Sequence, residues 1–246
     1  MSETVTAAML AIGDELLSGR TKDRNIGHLA EVMTLLGIDL KEVRIVSDDQ
    51  AAIVEAVNAL RQRNDYVFTS GGIGPTHDDI TADAIGAAFD LPVIHDPRAT
   101  EILERYYAER GIEFTDARKR MTRMPQGSDL IENPVSRAPG FRIGNVHVMA
   151  GVPSIFQAML DNVIPTLKTG QKMLSRSIDS PLPEGMIGTR LGEIAKAHPD
   201  TAIGSYPRFD GTSHSVQIVI RARSQAAIDA AASDVMSMFA DLALNK

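Results

Sequence analysis

The chain has 246 residues, which is enough for one large domain or for a main domain followed by a small one. Its net charge of −7 argues against general nucleic-acid binding, which needs a basic surface, and the absence of cysteine excludes disulfides and thiolate metal sites. Because no apolar stretch approaches the ~20 residues that span a bilayer, and because the first residues do not resemble a signal peptide, we expect a cytoplasmic protein with no membrane partner.

The first part of the chain predicts alternating strands and helices. Ala7 to Gly13 is a continuous apolar run, which is typical of a parallel strand buried on both faces. A helix that begins at Asp23 or Asn25 and ends at Gly37 follows, and Leu40 to Val46 predicts the second strand. The next helix has apolar residues at helical spacing, namely Ile53, Ala56, Val57 and Leu60. This alternation predicts a parallel sheet with right-handed crossovers.

A glycine-rich turn follows the third predicted strand, Tyr66 to Phe68. Residues 70–76 read Ser-Gly-Gly-Ile-Gly-Pro-Thr, and a helical pattern begins near Asp79. Glycine lets the backbone approach a ligand closely and the N-terminus of a helix favours negative charge, so the turn predicts an anion site. A tight turn in which Asp or Thr caps the helix is an equally good interpretation, because the spacing matches neither the Walker A motif nor the dinucleotide fingerprint.

The region after the glycine-rich turn predicts further helices and short strands. The expected elements are a helix over Thr81 to Phe89, a strand over Leu91 to Ile94, a helix over Arg98 to Arg110, strand and turn over 130–141, a strand over Asn145 to Gly151 and a helix over Ser154 to Leu167. Asp116 to Met124 is a basic helical segment in an acidic protein. A solvated helix face is a better interpretation of this segment than a ligand-binding role, and both remain open.

The composition changes near Gly170, which predicts a main domain over residues 1–169 and a small domain over residues 170–246. The small domain predicts a βαββα order, with strands over Met173 to Ile178, Ala202 to Pro207 and Ser215 to Arg223 and with helices over Ile187 to Ala197 and Gln225 to Leu242. This order indicates an α+β fold.

The segment SGGIGPTHDDIT, residues 70–81, resembles the signature of the molybdopterin-binding domain family. Three further segments support the resemblance in the same order along the chain: residues 13–19 (GDELLSG), 139–141 (PGF) and 151–153 (GVP). The combination is most similar to the competence/damage-inducible protein A (CinA-like) branch of the family, and it covers Ala7 to Leu167 strongly. The resemblance implies an α/β fold, a three-layer αβα domain with a mostly parallel sheet, followed by a small α+β KH-like domain.

The resemblance also bears on assembly and on further activities. Related domains form dimers or trimers, so we expect a homo-oligomer and favour a dimer. The KH-like name does not imply a nucleic-acid partner for an acidic chain. Members of the branch often continue into a nicotinamide-nucleotide amidase domain, and since the sequence stops at Lys246 without it, we do not expect that activity.

By motif, Asp48 and Asp79 match two aspartates that are functionally implicated in the adenylyltransferase relatives. We expect both at the carboxyl ends of neighbouring strands, where they would bind Mg²⁺ or a similar divalent metal that neutralises phosphate charge. The residues expected to bind phosphate or ligand are Gly13, Glu15, Ser70, Gly71, Gly72, Gly74, Pro75, Thr76, Thr81, Pro139 and Gly140. For the hydroxyls of Ser70, Thr76 and Thr81, bonding within the turn or at a helix cap is at least as good an interpretation.

Three functions remain open at this point. The first, which the resemblance favours, is metal-dependent hydrolysis of a nucleotide pyrophosphate such as ADP-ribose or FAD. The second is molybdopterin binding, with or without adenylyl transfer, and the third is a binding module without catalysis. The first two need the same anion cradle and the same carboxylates, so the sequence does not separate them.

Overall fold

A six-stranded sheet forms the centre of the first of two units, which are Met1–Gly170 and Gln171–Lys246. The computed structural model describes residues 4–209 and 214–244. The strands of the first unit are β1 Thr6–Ile12, β2 Asp39–Val46, β3 Tyr66–Ser70, β4 Val93–His95, β5 Arg123–Pro125, β6 Asp129–Ile131, β7 Gly140–Ile143 and β8 Val146–Met149. The order across the main sheet is β2-β1-β3-β8-β7-β6, while β4 and β5 pair separately.

Parallel pairing brings the carboxyl ends of neighbouring strands to one edge of the main sheet. β1 pairs in parallel with β2 and with β3, and β3 pairs in parallel with β8. In this register Ile12 lies beside Val46 and Ala11 lies beside Ser70, so the first three strands end together. β7 and β6 add to the sheet in antiparallel orientation. The prediction of a mostly parallel sheet is confirmed.

Helices cover both faces of the main sheet. They are α1 Asp14–Leu17, α2 Asn25–Leu36, α3 Gln50–Arg61, α4 Thr81–Phe89, α5 Pro97–Ala108, α6 Asp116–Lys119 and α7 Pro153–Val163. Because alternate residues of a strand point to opposite faces, Ala8 and Leu10 of β1 pack with α3 and α4, whereas Ala7 and Met9 pack with α2 and α7. The predicted three-layer αβα arrangement is confirmed.

Asp116 to Met124 is not the single helix that its pattern predicts. The segment divides into α6, a 3₁₀ turn at Arg120–Thr122 and the first residues of β5. Met124 is buried in the core once β5 pairs with β4, and Arg123 forms an ion pair with Asp83 of α4 at 2.5 Å. Strand pairing with a distant segment therefore overrides the local helical pattern.

His147 is a buried polar residue in β8. Its ring stacks on Phe68 with centroids 5.2 Å apart and meets Tyr66 edge-on at 5.9 Å. The side chain is 2% exposed, and neither ring nitrogen has a hydrogen-bond partner among the residues that the structure describes. Burial is the main cause that lowers the pKa of His147 from 6.5 to about 4, and the positive charge of Arg142 acts in the same direction. The imidazole is therefore neutral at physiological pH.

The second unit is built on a three-stranded antiparallel sheet. Its elements are β9 Leu174–Ser180, α8 Glu184–Ala197, β10 Ala202–Phe209, β11 His214–Ala222 and α9 Gln225–Leu244, with the strand order β10-β11-β9. Alternate residues of β11, Val216, Ile218 and Ile220, pack with α8 and α9 in a separate core. The predicted βαββα order is confirmed. Within the described ranges, no helix combines the length and the apolar character needed to cross a membrane.

Candidate functional site

The turns that follow β1, β2, β3 and β8 enclose a cavity of about 600 Å³ at the carboxyl edge of the main sheet, which we call the glycine-loop cavity. An open α/β sheet usually binds its ligands at this edge. The lining residues that sequence reasoning did not select include Ile73, Asp78, Met121, Asn133, Ser136, Ala138, Gly151 and Val152.

The structure brings most of the predicted site residues together at the glycine-loop cavity. Those that line it are Gly13, Glu15, Asp48, Gly71, Gly72, Gly74, Pro75 and Asp79. Thr76 forms its hydrogen bonds within the turn, and Pro139 lines a neighbouring cavity. Ser70, Thr81 and Gly140 are buried.

The three buried residues hold the walls of the cavity. The hydroxyl of Thr81 is fully buried and donates a hydrogen bond to the carbonyl oxygen of Gly71 at 3.0 Å. A Cβ at Gly140 would collide with the carbonyl oxygen of Val148, so glycine at this position allows β7 to approach β8 closely. Ser70, at the end of β3, accepts a hydrogen bond from the side-chain amide of Asn25 at 2.7 Å.

Gly71 and Gly72 adopt backbone conformations that favour glycine. Their φ angles are 111° and 69°. A Cβ at Gly71 would collide with the carbonyl oxygen of Ile12, and a Cβ at Gly72 would collide with the hydroxyl of Thr81. The turn therefore lies directly against β1 and the start of α4, and its two glycines line the cavity without side chains of their own.

Asp79 stabilises the glycine-rich turn with its carboxylate. Its Oδ2 accepts hydrogen bonds from the backbone N–H of Thr76 at 2.8 Å and from the hydroxyl of the same residue at 2.6 Å. α4 begins at Thr81, two residues after the predicted start, so Asp79 caps the turn rather than the helix. Arg120 donates hydrogen bonds to the carbonyl oxygens of Thr76 and Asp79 at 3.2 and 3.3 Å. The basic segment that contains Arg120 therefore contacts the proposed anion site.

Asp48 lines the same cavity in a negative environment. Its Oδ2 accepts a hydrogen bond from the backbone N–H of Asp14 at 3.0 Å. Burial is the largest cause that raises the pKa of Asp48, the hydrogen bond from Asp14 lowers it, and the negative charges of Asp14, Glu15 and Asp78 raise it further. Ionised Asp48 is therefore disfavoured by its surroundings, and a bound cation would relieve this unfavourable interaction.

Asp48 and Asp79 do not follow neighbouring strands as expected, because β1 lies between β2 and β3. Neighbouring strands lie about 4.8 Å apart, so the ends of β2 and β3 are roughly 10 Å apart. Asp78, which sequence reasoning missed, lines the cavity and is the carboxylate of the glycine-rich turn whose charge raises the pKa of Asp48. Its neighbour Asp79 is committed to Thr76, and no periodicity in the sequence distinguishes the two positions.

The carboxylates of the cavity fit a cation that is shared with a substrate. Within the described ranges, no group of three or more His, Asp or Glu residues forms a metal site of the protein alone. Mg²⁺ commonly binds one or two carboxylates together with substrate phosphates and keeps several waters. Asp48, with a raised pKa and acidic neighbours, supplies a ligand of this kind.

Asn25 is a second residue that sequence reasoning did not place at the site. It is the first residue of α2 and is 2% exposed. The first turn of this helix is held by Asp23, whose Oδ1 accepts a hydrogen bond from the N–H of Ile26 at 2.7 Å. The amide of Asn25 donates to Ser70 Oγ at 2.7 Å and to the carbonyl oxygen of Gly151 at 2.8 Å. It therefore joins the turns after β3 and β8 beneath the cavity.

Comparisons with known proteins follow the division of the chain into two units. Residues 8–169 match the family described as "Probable molybdopterin binding domain", and residues 172–246 match "FAD synthase, middle domain". The CinA-like protein of Desulfosudis oleivorans is 33% identical over 216 residues, which cover 82% of this chain and 52% of that protein. A "Probable FAD synthase" of Caenorhabditis briggsae is 30% identical over 250 residues, which cover 92% of this chain and 48% of that protein. The chain thus spans about half the length of these two relatives.

A solved structure supports the same relationship for the main sheet. The protein CinA of unknown function from Thermoplasma acidophilum aligns with a TM-score of 0.62 and 29% identity, and the alignment covers 66% of this chain and 98% of that one. The matching family model covers well over half of the chain and includes every residue of the glycine-rich turn. The chain therefore belongs to the molybdopterin-binding domain family and has CinA-like proteins among its relatives.

Proposed function

We propose that the protein binds the diphosphate of a nucleotide in the glycine-loop cavity and hydrolyses it with Mg²⁺ or a similar divalent metal, with ADP-ribose or FAD as the class of substrate. The observation that carries the proposal is a backbone turn free of side chains at 71–72 beside Asp48, a half-buried carboxylate whose pKa is raised. FAD belongs to the class because a relative is named a probable FAD synthase and the second unit matches a domain of that enzyme.

The glycine-rich turn is the phosphate-binding element in this proposal. Phosphate oxygens can approach its backbone because residues 71 and 72 carry no side chains. Glycine at these positions also avoids the collisions that a Cβ would make with Ile12 and Thr81, so the turn keeps its place. The N-terminus of α4 follows directly and favours negative charge. Asp79 and Arg120 hold the turn in shape from two sides, so little conformational entropy is lost when the ligand binds.

In this proposal the carboxylates bind the metal and orient the attacking water. Asp48 and Asp79 would hold the divalent metal together with the substrate, Asp79 through Oδ1, because its Oδ2 accepts both hydrogen bonds from Thr76. The metal would neutralise the phosphate charge. In the reaction a water oxygen bonds to one phosphorus atom, the bridging oxygen leaves with the other phosphate, and the protons of the water pass to the products and to solvent. Asp48 is suited to orienting this water, since burial gives its carboxylate a higher affinity for a proton.

Turnover of ADP-ribose, FAD and NADH in Mg²⁺, in Mn²⁺ and in a chelator tests the proposal, with products separated by chromatography. We expect AMP and ribose 5-phosphate from ADP-ribose, AMP and FMN from FAD, and loss of both reactions in the chelator. Asp48→Asn and Asp79→Asn should each lower kcat by at least ~10²-fold, and the double variant should lose less than the product of the two effects.

Asp49→Asn is the matched control for the Asp48 variant. Asp49 is the next residue, does not line the cavity and caps α3 by accepting a hydrogen bond from the N–H of Ala52 at 2.8 Å. Asparagine caps a helix nearly as well as aspartate, so the control should keep the parent fold and the parent rate. An Asp79→Asn protein that hydrolyses nucleotide diphosphates at the parent rate would eliminate the mechanism.

A second candidate function rests on the family match over residues 8–169. In this alternative the cavity binds molybdopterin through its phosphate and transfers an adenylyl group to it, with pyrophosphate released from ATP. A chain that binds a pterin phosphate, releases pyrophosphate from ATP in its presence and leaves ADP-ribose intact would favour the alternative over hydrolysis.

A further inference from the structure

A second cavity of about 540 Å³ lies beside the glycine-loop cavity in the first unit, and we call it the arginine cavity. One wall is a face of α5 and its C-terminal cap, formed by Ile102, Arg105, Tyr106 and Glu109. These positions are spaced i, i+3, i+4 and i+7, which places them on one side of a helix. The volume is within the range of small-molecule sites.

The loop over residues 133–139 separates the two cavities and belongs to both. Asn133 lines each of them, Ser136 and Ala138 line the glycine-loop cavity, and Arg137 and Pro139 line the arginine cavity. The two cavities therefore adjoin at this loop, and a ligand that spans it would contact residues of both.

A buried amide holds this loop in shape. Asn133 is 2% exposed, and its Oδ1 accepts hydrogen bonds from the backbone N–H groups of Val135 and Ser136 at 3.0 and 3.2 Å. Its Nδ2 donates to Ser136 Oγ at 2.6 Å and to the carbonyl oxygen of Ala138 at 2.8 Å. The shared wall is thus organised by the protein before any ligand binds.

Arg137 has a φ angle of 66°, a left-handed conformation that few non-glycine residues adopt. Backbone conformations of this kind persist where the surroundings enforce them, and they cluster at ligand sites. Here Arg137 lines the arginine cavity, whereas its neighbours Ser136 and Ala138 line the glycine-loop cavity. Glycine would relieve the strain at this position, so the arginine side chain is present at a cost in stability.

The charges of the arginine cavity suit a nucleoside phosphate. Within the described chain, no carboxylate forms an ion pair with Arg105, and the ion pair of Arg137 with Glu132 is a long one of 3.9 Å between exposed side chains. Guanidinium groups bind phosphate oxygens in a fork geometry, and the carboxylates of Glu109 and Glu132 can accept hydrogen bonds from ribose hydroxyls. Tyr106 also lines the cavity, and since the guanidinium of Arg110 covers one face of its ring at 3.7 Å from the centroid, the other face is the one that a base could contact.

We propose that the arginine cavity binds the second nucleoside phosphate of a dinucleotide whose diphosphate extends into the glycine-loop cavity. This inference rests on the proposed function, because it names the substrate class as a diphosphate with a group on each end. A ligand that ends at the diphosphate uses the glycine-loop cavity alone.

Calorimetric titration in Mg²⁺ with two probes separates the cavities. Diadenosine diphosphate carries the same nucleoside on both ends, so its orientation does not matter, and inorganic pyrophosphate lacks both nucleosides. Arg105→Gln and Arg137→Gln should each weaken binding of diadenosine diphosphate at least tenfold and change the Kd of pyrophosphate less than twofold. Arg142→Gln, an exposed arginine of β7 that lines neither cavity, is the matched control and should change neither affinity.

Arg137→Gly separates the side chain from the conformation of its backbone. We expect this variant to have a higher melting temperature than the parent. It should nevertheless bind diadenosine diphosphate at least tenfold more weakly than the parent does. Parent affinity for diadenosine diphosphate in both arginine-to-glutamine variants would overturn the inference, as would an equal loss for pyrophosphate or no binding of the dinucleotide by the parent chain. Binding with the expected selectivity but without hydrolysis would refute the proposed reaction and leave the second subsite in place.

Discussion

Replacement of His147 by phenylalanine should remove a large part of the acid sensitivity of the first unit. His147 is buried against Phe68 and Tyr66 without a hydrogen-bond partner for either ring nitrogen in the described part of the chain. Phenylalanine keeps an aromatic ring in this position and removes the two unsatisfied nitrogens. We therefore expect His147→Phe to be at least as stable as the parent at pH 7.

The magnitude follows from the two protonation states. The pKa of His147 is about 4 in the fold, against 6.5 for the free side chain. Because the folded pKa is lowered, the unfolded chain binds the proton first, and the free energy of unfolding falls as pH decreases from about 7 toward 4. The difference of the two pKa values corresponds to about 3 kcal/mol in full, of which about 2 kcal/mol is lost between pH 7 and pH 5.

Urea unfolding followed by far-UV circular dichroism at pH 7, 6 and 5 measures this effect as a difference between the two proteins. Other titrating groups contribute equally to both, so the stability of His147→Phe relative to the parent should rise by about 2 kcal/mol from pH 7 to pH 5. A proton NMR titration of the imidazole gives a direct check. A relative stability that does not change with pH, or an imidazole that titrates near 6.5, would refute the reasoning.

Other predictions test the site and the assembly. Gly72→Ala should lower the free energy of unfolding by about 2 kcal/mol, because φ is positive and the added Cβ meets the Thr81 hydroxyl. It should also abolish phosphate binding. Urea unfolding measures the first effect and calorimetry the second. Asn25→Ala should cost about 2 kcal/mol in the same unfolding assay, because it removes a buried hydrogen bond to Ser70 and a partly buried one to Gly151. Asp48→Asn should stabilise the metal-free protein at pH 7. The gain should shrink as pH falls through the raised folded pKa of Asp48 and vanish only below its unfolded pKa of 3.8, where the parent carboxyl is protonated in both states. Light scattering at micromolar concentration should give a dimer, and a mass of 26.6 kDa would contradict it.

The elements around the glycine-rich turn could be predicted because their signals are local. A short apolar run, two glycines with positive φ and an apolar helical face all lie within residues 66–89, and the structure shows the corresponding strand, turn and helix there. Asp116 to Met124 could not be predicted in the same way. Its helical pattern correctly predicts α6 at the start of the segment. The end of the segment forms β5 because β4, almost thirty residues earlier, provides a pairing partner.

The residues that complete the cavity depend on contacts between distant parts of the chain. Asn25 bonds to Gly151, which is 126 positions away, and from sequence its position suggested only the start of a helix. Asp78 and Asp79 are neighbours of the same type, and the hydrogen bonds from Thr76 decide that Asp79 holds the turn. Such choices depend on side-chain geometry that residue type and spacing do not encode.

The strand order places a constraint on how the two motif aspartates act together. With β1 between β2 and β3, the backbone positions that lead to Asp48 and Asp79 are separated by about two strand spacings, roughly 10 Å. Ligands of one Mg²⁺ ion lie about 2.1 Å from it, so their oxygen atoms must come within about 3 to 4 Å of each other. If a diphosphate binds as proposed, it would lie across the end of β1, and the oxygens of its two phosphates would supply metal ligands between Asp48 and Asp79. The glycines at 71 and 72 allow the turn to lie directly against the end of β1. With the turn in that position, the strand order favours a substrate with two phosphates over one with a single phosphate.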